Sequence, residues 1–191
     1  HMFHSPMNLP IVKFQIEFNP FRVESYRLVG YENRLLNDED FNDDTKDAGE
    51  MGSGHRVTAL YEIVPAGSGE RMPSIDPLKY QQTAKTENNR YSDEMLTVKV
   101  RYKEPDGNTS KMFGKPVRAS SVDIGKASEN MRFAAAVAEF GMILRDSEFI
   151  GTATLQGAAR LAASARGEDP EGYRGELIRL ISTAKDLRNV A

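Results

Sequence analysis

Seven carboxylates crowd into the short stretch from Asn37 to Glu50: Asp38, Glu39, Asp40, Asp43, Asp44, Asp47 and Glu50, against the single cation Lys46. Dense hard oxygen ligands are what a calcium ion requires. Asp38, Asp40 and Asn42 hold the 1-3-5 spacing of helix-loop-helix calcium loops, and Asp44 follows at position seven. The pattern then departs. Position six is Asp43 where the sharp turn needs glycine, and position twelve is Gly49, with Glu50 one place late. Calcium tolerates varied oxygen geometry, so a calcium site on Asp38, Asp40, Asn42 and Asp44 is one expectation. The other is a solvated acidic loop, or one that pairs with Arg or Lys of a neighbouring domain.

Gly52-Ser53-Gly54-His55 follows directly. It is not a nucleophile elbow, because Met51 and His55 occupy the outer places where Gly-x-Ser-x-Gly needs glycine. His55 is expected to sit at a strand end with structural hydrogen bonds, and the two glycines to serve the turn into that strand. A hydrolase centred on Ser53 and His55 would need a carboxylate on the imidazole. Neither the phosphate-loop nor the dinucleotide-binding glycine pattern is present. With no cysteine in the chain, thiolate catalysis, disulfides and zinc-thiolate sites are excluded.

The 191 residues carry a formal charge of -3, so the acidity is concentrated between Asn37 and Glu50 and the remainder is mildly basic. That balance argues against a nucleic-acid partner, which needs a concentrated basic face. The most apolar run, Phe133–Leu144, is interrupted by Glu139 and falls short of the roughly 20 residues a membrane crossing needs. His1-Met2 reads as a cloning remnant and the chain as a fragment of a longer protein, so a missing targeting signal carries no information.

Two periodicities position these residues. Residues 11–118 form a β-rich part: Val12, Phe14, Ile16 and Phe18 alternate with polar residues until Asn19-Pro20 breaks the run. A second strand runs through Tyr26 and Leu28 towards Asn33. Val57–Ile63 and Leu96–Tyr102 alternate in the same way. Pro105-Asp106-Gly107-Asn108 predicts a tight turn joining 95–103 to a partner near 110–118. The acidic loop 37–50 and an irregular excursion over 65–93 interrupt the strands. The aromatic set Phe14, Phe18, Tyr61 and Tyr102 falls on the inward phase and reads as core, whereas Tyr31, Tyr80 and Tyr91 are less constrained.

From residue 119 the period becomes helical. Ser128 caps a helix over 129–146 that is apolar all round and is expected to be the central, buried one. Thr152 or Thr154 starts a second helix ended by Gly167, and Asp169-Pro170 starts a third, with Pro at the first helical position. On that helix Tyr173, Leu177, Leu180, Ile181 and Ala184 predict the packed face, and Arg174, Arg179 and Arg188 a solvated one. The fold class is therefore α+β: an antiparallel, sandwich-like sheet followed by a three-helix unit packed against it, as one compact unit.

Phe14–Pro20 (FQIEFNP), Tyr26–Glu39 (YRLVGYENRLLNDE), Asp40–Asp44 (DFNDD), Asp47–Glu62 (DAGEMGSGHRVTALYE), Leu96–Gly107 (LTVKVRYKEPDG), Phe133–Asp146 (FAAAVAEFGMILRD) and Gly167–Tyr173 (GEDPEGY) carry a resemblance. Together they resemble the C-terminal domain that follows the von Willebrand factor A domain in a family of bacterial envelope proteins. The resemblance implies a periplasmic or cell-surface parent, and a module with no established activity. The metal-binding Asp-x-Ser-x-Ser motif of A domains is absent from this chain, so no catalytic or ligand residue carries over. The expectation is a noncatalytic structural and protein-interaction module with no cofactor, whose partner is the upstream A domain, with an external protein ligand as a further partner. The alternative is a calcium-responsive binding module. Uncovered sheet edges would also let a detached fragment dimerise.

Overall fold

The computed structural model describes residues 12–30, 56–70, 93–103 and 109–188. Five strands come first: β1 (Val12–Phe18), β2 (Val23–Leu28), β3 (Tyr61–Pro65), β4 (Glu94–Tyr102) and β5 (Lys111–Arg118). A 3₁₀ turn over Ile124–Lys126 leads to α1 (Glu129–Leu144), α2 (Leu155–Ser164) and α3 (Tyr173–Arg188). The class is α+β, with antiparallel sheets followed by three helices.

The strands form two sheets. One is three-stranded in the order β1-β4-β5 and the other is the β2-β3 pair, all antiparallel. The alternation read from sequence sets the register of the larger sheet. Val12 pairs with Tyr102 and Phe18 with Leu96, while Tyr102 pairs with Lys111 and Leu96 with Val117. The 105–108 turn lies outside the described residues, but the strands it joins are paired as expected.

Asn19 makes the break after β1 into a joint. Its amide and its side chain donate to the carbonyls of Met95 and Glu94, at 2.9 and 2.7 Å, pinning β1 to the start of β4. Its carbonyl accepts from Arg22 and Val23, which turns the chain into β2.

The β2-β3 pair lies between the larger sheet and the helices. On one face, Tyr26 stacks on Phe18 of β1 with ring centroids 3.9 Å apart, and Tyr61 meets Phe18 edge-on at 5.6 Å. Burial of Tyr61, with Tyr26 beside it, pushes its hydroxyl pKa up. On the other face, Arg27 pairs with Glu62 at 2.5 Å. Its guanidinium lies 3.9 Å from the Phe149 ring centroid and 3.6 Å from the Met142 sulfur, reaching α1 and the loop after it.

The helix caps follow the sequence. The Ser128 hydroxyl accepts from Met131 N–H at 3.2 Å, and the Thr154 hydroxyl from Gly157 N–H at 3.0 Å. The order of burial is different from the expectation for 129–146. The central helix is α2, which packs against both α1 and α3. Its Ala158 and Ala162, with Ala165 just beyond, are fully buried, whereas Met131, Val137 and Leu144 of α1 are exposed. Small side chains let α2 approach both neighbours closely, and α1 is left with apolar groups on its outer side.

Two further expectations are corrected at α3. Pro170 is not its first residue: Asp169 to Gly172 form a turn closed by Gly172 N–H to the Asp169 carbonyl, and the helix begins at Tyr173. Asp169 still caps, reaching across that turn to the amides of Arg174 and Gly175 at 3.0 and 2.8 Å. Of the predicted packed face, Ile181 is fully buried and Leu177 and Ala184 line the core, but Tyr173 and Leu180 are exposed.

Arg174 and Arg188 are brackets between helices. Arg174 donates to the Ala165 carbonyl and to Asn130 Oδ1, both at 2.6 Å, while Arg188 donates to the Ile143 carbonyl at 3.0 Å. Each supplies donors to carbonyls near a helix end, the Ile143 carbonyl also accepting from Asp146 N–H. Arg179, paired with Glu176 on the same helix, and the half-exposed Arg188 lie on the solvated face, while Arg174 does not.

Candidate protein-interaction surface

The pleat sorts the larger sheet into two unlike faces, because residues paired across antiparallel strands share a face. One face reads in four rows: Val12, Tyr102 and Lys111; Phe14, Val100 and Phe113; Ile16, Val98 and Lys115; Phe18, Leu96 and Val117. Ten of these twelve positions are apolar or aromatic, two are lysines and none is acidic. The opposite face carries Lys13, Gln15, Glu17, Thr97, Lys99 and Arg101, with a Lys99–Glu17 ion pair at 2.6 Å.

Among the described residues, cover for the apolar face is found at one end. Phe18 lies under Tyr26 and Tyr61. Further along the sheet, Phe14 and Phe113 keep 55% and 53% of their surface exposed, and in the Phe18 row itself the edge residue Val117 is exposed. This corrects the reading of Phe14 as core. The alternation located the apolar face correctly, but no described element covers its Phe14 end. Phe113 reaches the half-buried Tyr102 edge-on at 6.4 Å, and Val100 joins Phe113 to Phe14 in one row, an apolar strip across the sheet.

The edge beside this strip is guarded. All eight residues of β5 are exposed, and the strand carries Lys111, Lys115 and Pro116. Lysines and a proline that cannot donate oppose the addition of another strand there. Contact through the face is favoured over contact through the β5 edge, including the edge-to-edge dimer that the sequence suggested.

The chemistry read from the sequence falls elsewhere. Asp38, Asp40, Asn42 and Asp44 lie outside the described residues, as do Ser53, His55, Tyr31, Tyr80 and Tyr91. Among the described residues no group of three or more His, Asp or Glu is placed to hold a metal ion, and no helix is long and apolar enough to cross a membrane. Sequence reasoning missed Arg27. Its signal was an arginine within a strand whose neighbours are aromatic, and its partners Glu62, Met142 and Phe149 lie too far along the chain to be read locally.

These features define an α+β module with one apolar sheet face left partly open. Residues 10–187 match the family described as "Uncharacterized protein YfbK, C-terminal", and the chain belongs to that family. It is 41% identical over 180 residues to the "Uncharacterized protein YfbK" of Escherichia coli (strain K12), a match covering 94% of this chain and 30% of that protein. The chain therefore spans about a third of the length of the curated relative it matches. No solved structure matches it.

Proposed function

We propose that this chain is a noncatalytic protein-interaction module that follows and supports a von Willebrand factor A domain in a bacterial envelope protein. The observation that carries the proposal is the strip of Phe14, Val100 and Phe113, apolar and half open at the centre of an otherwise regular sheet. A sheet with one apolar face is stable when a second layer covers it. The matched relative has most of its length outside the matched region, and its family is described as C-terminal, so preceding chain is available in cis. In this reading the A domain supplies the second layer, Lys111 and Lys115 meet carboxylates at its margin, and the module works without a cofactor. The setting is the periplasm or the cell surface, as the family resemblance implies.

The test is calorimetric titration of this chain with the separately expressed A domain of its parent. Binding is expected in trans, and Phe14→Asp or Phe113→Asp should weaken it at least about tenfold, since a charge buried against an apolar partner is strongly opposed. No heat with the wild-type chain, in either calcium or chelator, overturns the reading.

The spacing of Asp38, Asp40, Asn42 and Asp44 favours a second reading, a calcium-responsive binding module. Calcium should then release or absorb heat on titration and raise Tm relative to chelator; an unchanged Tm and a flat titration sink it.

A further inference from the structure

We infer that a groove at one end of the helical unit binds the C-terminal carboxylate of a peptide that ends in an apolar residue. The groove has a volume of about 520 Å³ and lies where the end of α1, the start of α2 and the end of α3 converge. Its floor is apolar, formed by Ile143, Ile150, Ala153 and Leu155, and its rim carries Lys185 and Arg188. An apolar floor beside two cations is complementary to a ligand that joins an apolar group to an anion.

The two cations are held differently. Arg188 is fixed: one guanidinium nitrogen donates to the Ile143 carbonyl at 3.0 Å and lies 3.4 Å from the Asp146 carboxylate, and the guanidinium carries further N–H groups. Lys185 forms no ion pair among the described residues. The Thr154 hydroxyl, also on the rim, accepts from Gly157 N–H and keeps its own proton to donate. The first turn of α2 contains no acidic residue; the acid with which a ligand carboxylate must compete is the exposed Asp146 beside Arg188.

Connectivity selects the kind of anion, since a space of this volume is of ordinary size for a ligand site. A chain terminus carries its apolar side chain and its carboxylate on a single α-carbon, so one residue satisfies both floor and rim. An internal Asp or Glu would need a neighbour for the apolar anchor, with backbone laid across the opening. The groove belongs to the helices rather than the sheet face, so this inference stands whether or not an A domain docks there.

The experiment is NMR titration of the ¹⁵N-labelled 191-residue chain with three probes. They are the peptide Ac-Gly-Ser-Gly-Leu with a free carboxylate, the same peptide amidated, and N-acetyl-leucine. The free peptide should shift the amides of residues 150–156 and 185–188 saturably, and amidation should weaken binding about tenfold or more, as expected when a charge-assisted bond is lost. Lys185→Gln should weaken it several-fold without altering the rest of the spectrum. Shifts that never saturate, equal binding of the amidated peptide, or an unaffected Lys185→Gln variant would each overturn the inference. Binding of N-acetyl-leucine but not of the peptide would overturn it too, because the occupant would then be a small anion.

Discussion

Ile181 and the alanines Ala136, Ala158, Ala162 and Ala165 are completely withdrawn from solvent, and all belong to the helical part. Among the described residues of the β part the buried apolar ones are Val23 and Val64, both in the β2-β3 pair, while β4 is half-buried along its whole length. Both parts come from strongly patterned sequence. The difference is that the helices find each other within about sixty residues, whereas the larger sheet has a face for which the described chain supplies cover only at the Phe18 end. Helix-on-helix packing through alanines closes a core locally. A sheet needs a second layer, which the described residues supply only in part.

If the helical core is self-contained, its centre should be the most sensitive point in the molecule. Ile181→Ala removes the one large side chain that is fully buried among the described residues. The expected loss is about 2–5 kcal/mol, the range for emptying a packed core site. Urea unfolding followed at 222 nm measures it, and a loss below about 1 kcal/mol would show that the helices are no better closed than the sheet.

Arg27 is the point where the two parts are tied, and it should rank second. Arg27→Ala removes the ion pair with Glu62 and the contacts with Phe149 and Met142. Glu62 is half-exposed and regains water, so the cost is moderated to about 1–2 kcal/mol. Hydrogen exchange should show faster opening of β2 and β3 with α2 unchanged. Equal acceleration in α2 would mean that the helices depend on the sheet.

Acid should act on the helical part through Asp169. The amides of Gly175 and then Arg174, joined by the charges of Arg166 and Arg174, hold this carboxylate below the ordinary Asp range despite its withdrawal from water. A lowered folded pKa stabilises the folded state fully above the unfolded value, near 3.9. That stabilisation is lost as pH falls through the lower folded value. Glu139 on α1 has the opposite sign: burial raises its pKa, so protonation in mild acid favours the folded state. Helicity followed from about pH 6 down to about pH 2 should therefore fall only at the acidic end, and Asp169→Asn should flatten that limb. A limb unchanged in the variant would assign acid sensitivity elsewhere.

Most strands, the pairing of 95–103 with 110–118 and the helix caps could be read from sequence because each depends on neighbours close in the chain. The alternation from Val57 overshot, since β3 begins only at Tyr61 and Val57 is exposed, and the β1-β4 and β2-β3 pairings join segments too distant to be read locally. Alternation put Phe14 and Val100 each on the apolar phase of its strand, and Ser128 and Thr154 marked helix starts. Which helix is central could not be read. Large apolar residues favour α1, but close approach favours the alanines of α2, and only the assembled unit shows which effect decides. Pro170 misled for a related reason, since Asp-Pro-Glu-Gly serves a turn as well as a helix start, and Asp169 can cap from across that turn. The open strip was hidden because an apolar face in sequence carries no mark of whether its cover lies in the same chain.

The smallest stability effect is expected where the sheet is open. In the isolated chain Phe113 is more than half exposed and lies on an edge strand, so Phe113→Asp removes little buried area and places a carboxylate in water. Its effect on unfolding should stay within about 0.5 kcal/mol, as for substitutions away from any packed feature. Lys111 and Lys115, its neighbours along β5 on the same face, offset part of even that. Urea unfolding of Phe113→Asp beside Ile181→Ala gives the contrast directly. A loss near that of Ile181→Ala would mean that the chain covers its own strip in solution, removing the surface on which the A-domain proposal rests. A neutral substitution that abolishes A-domain binding would show that the strip is kept open for a partner.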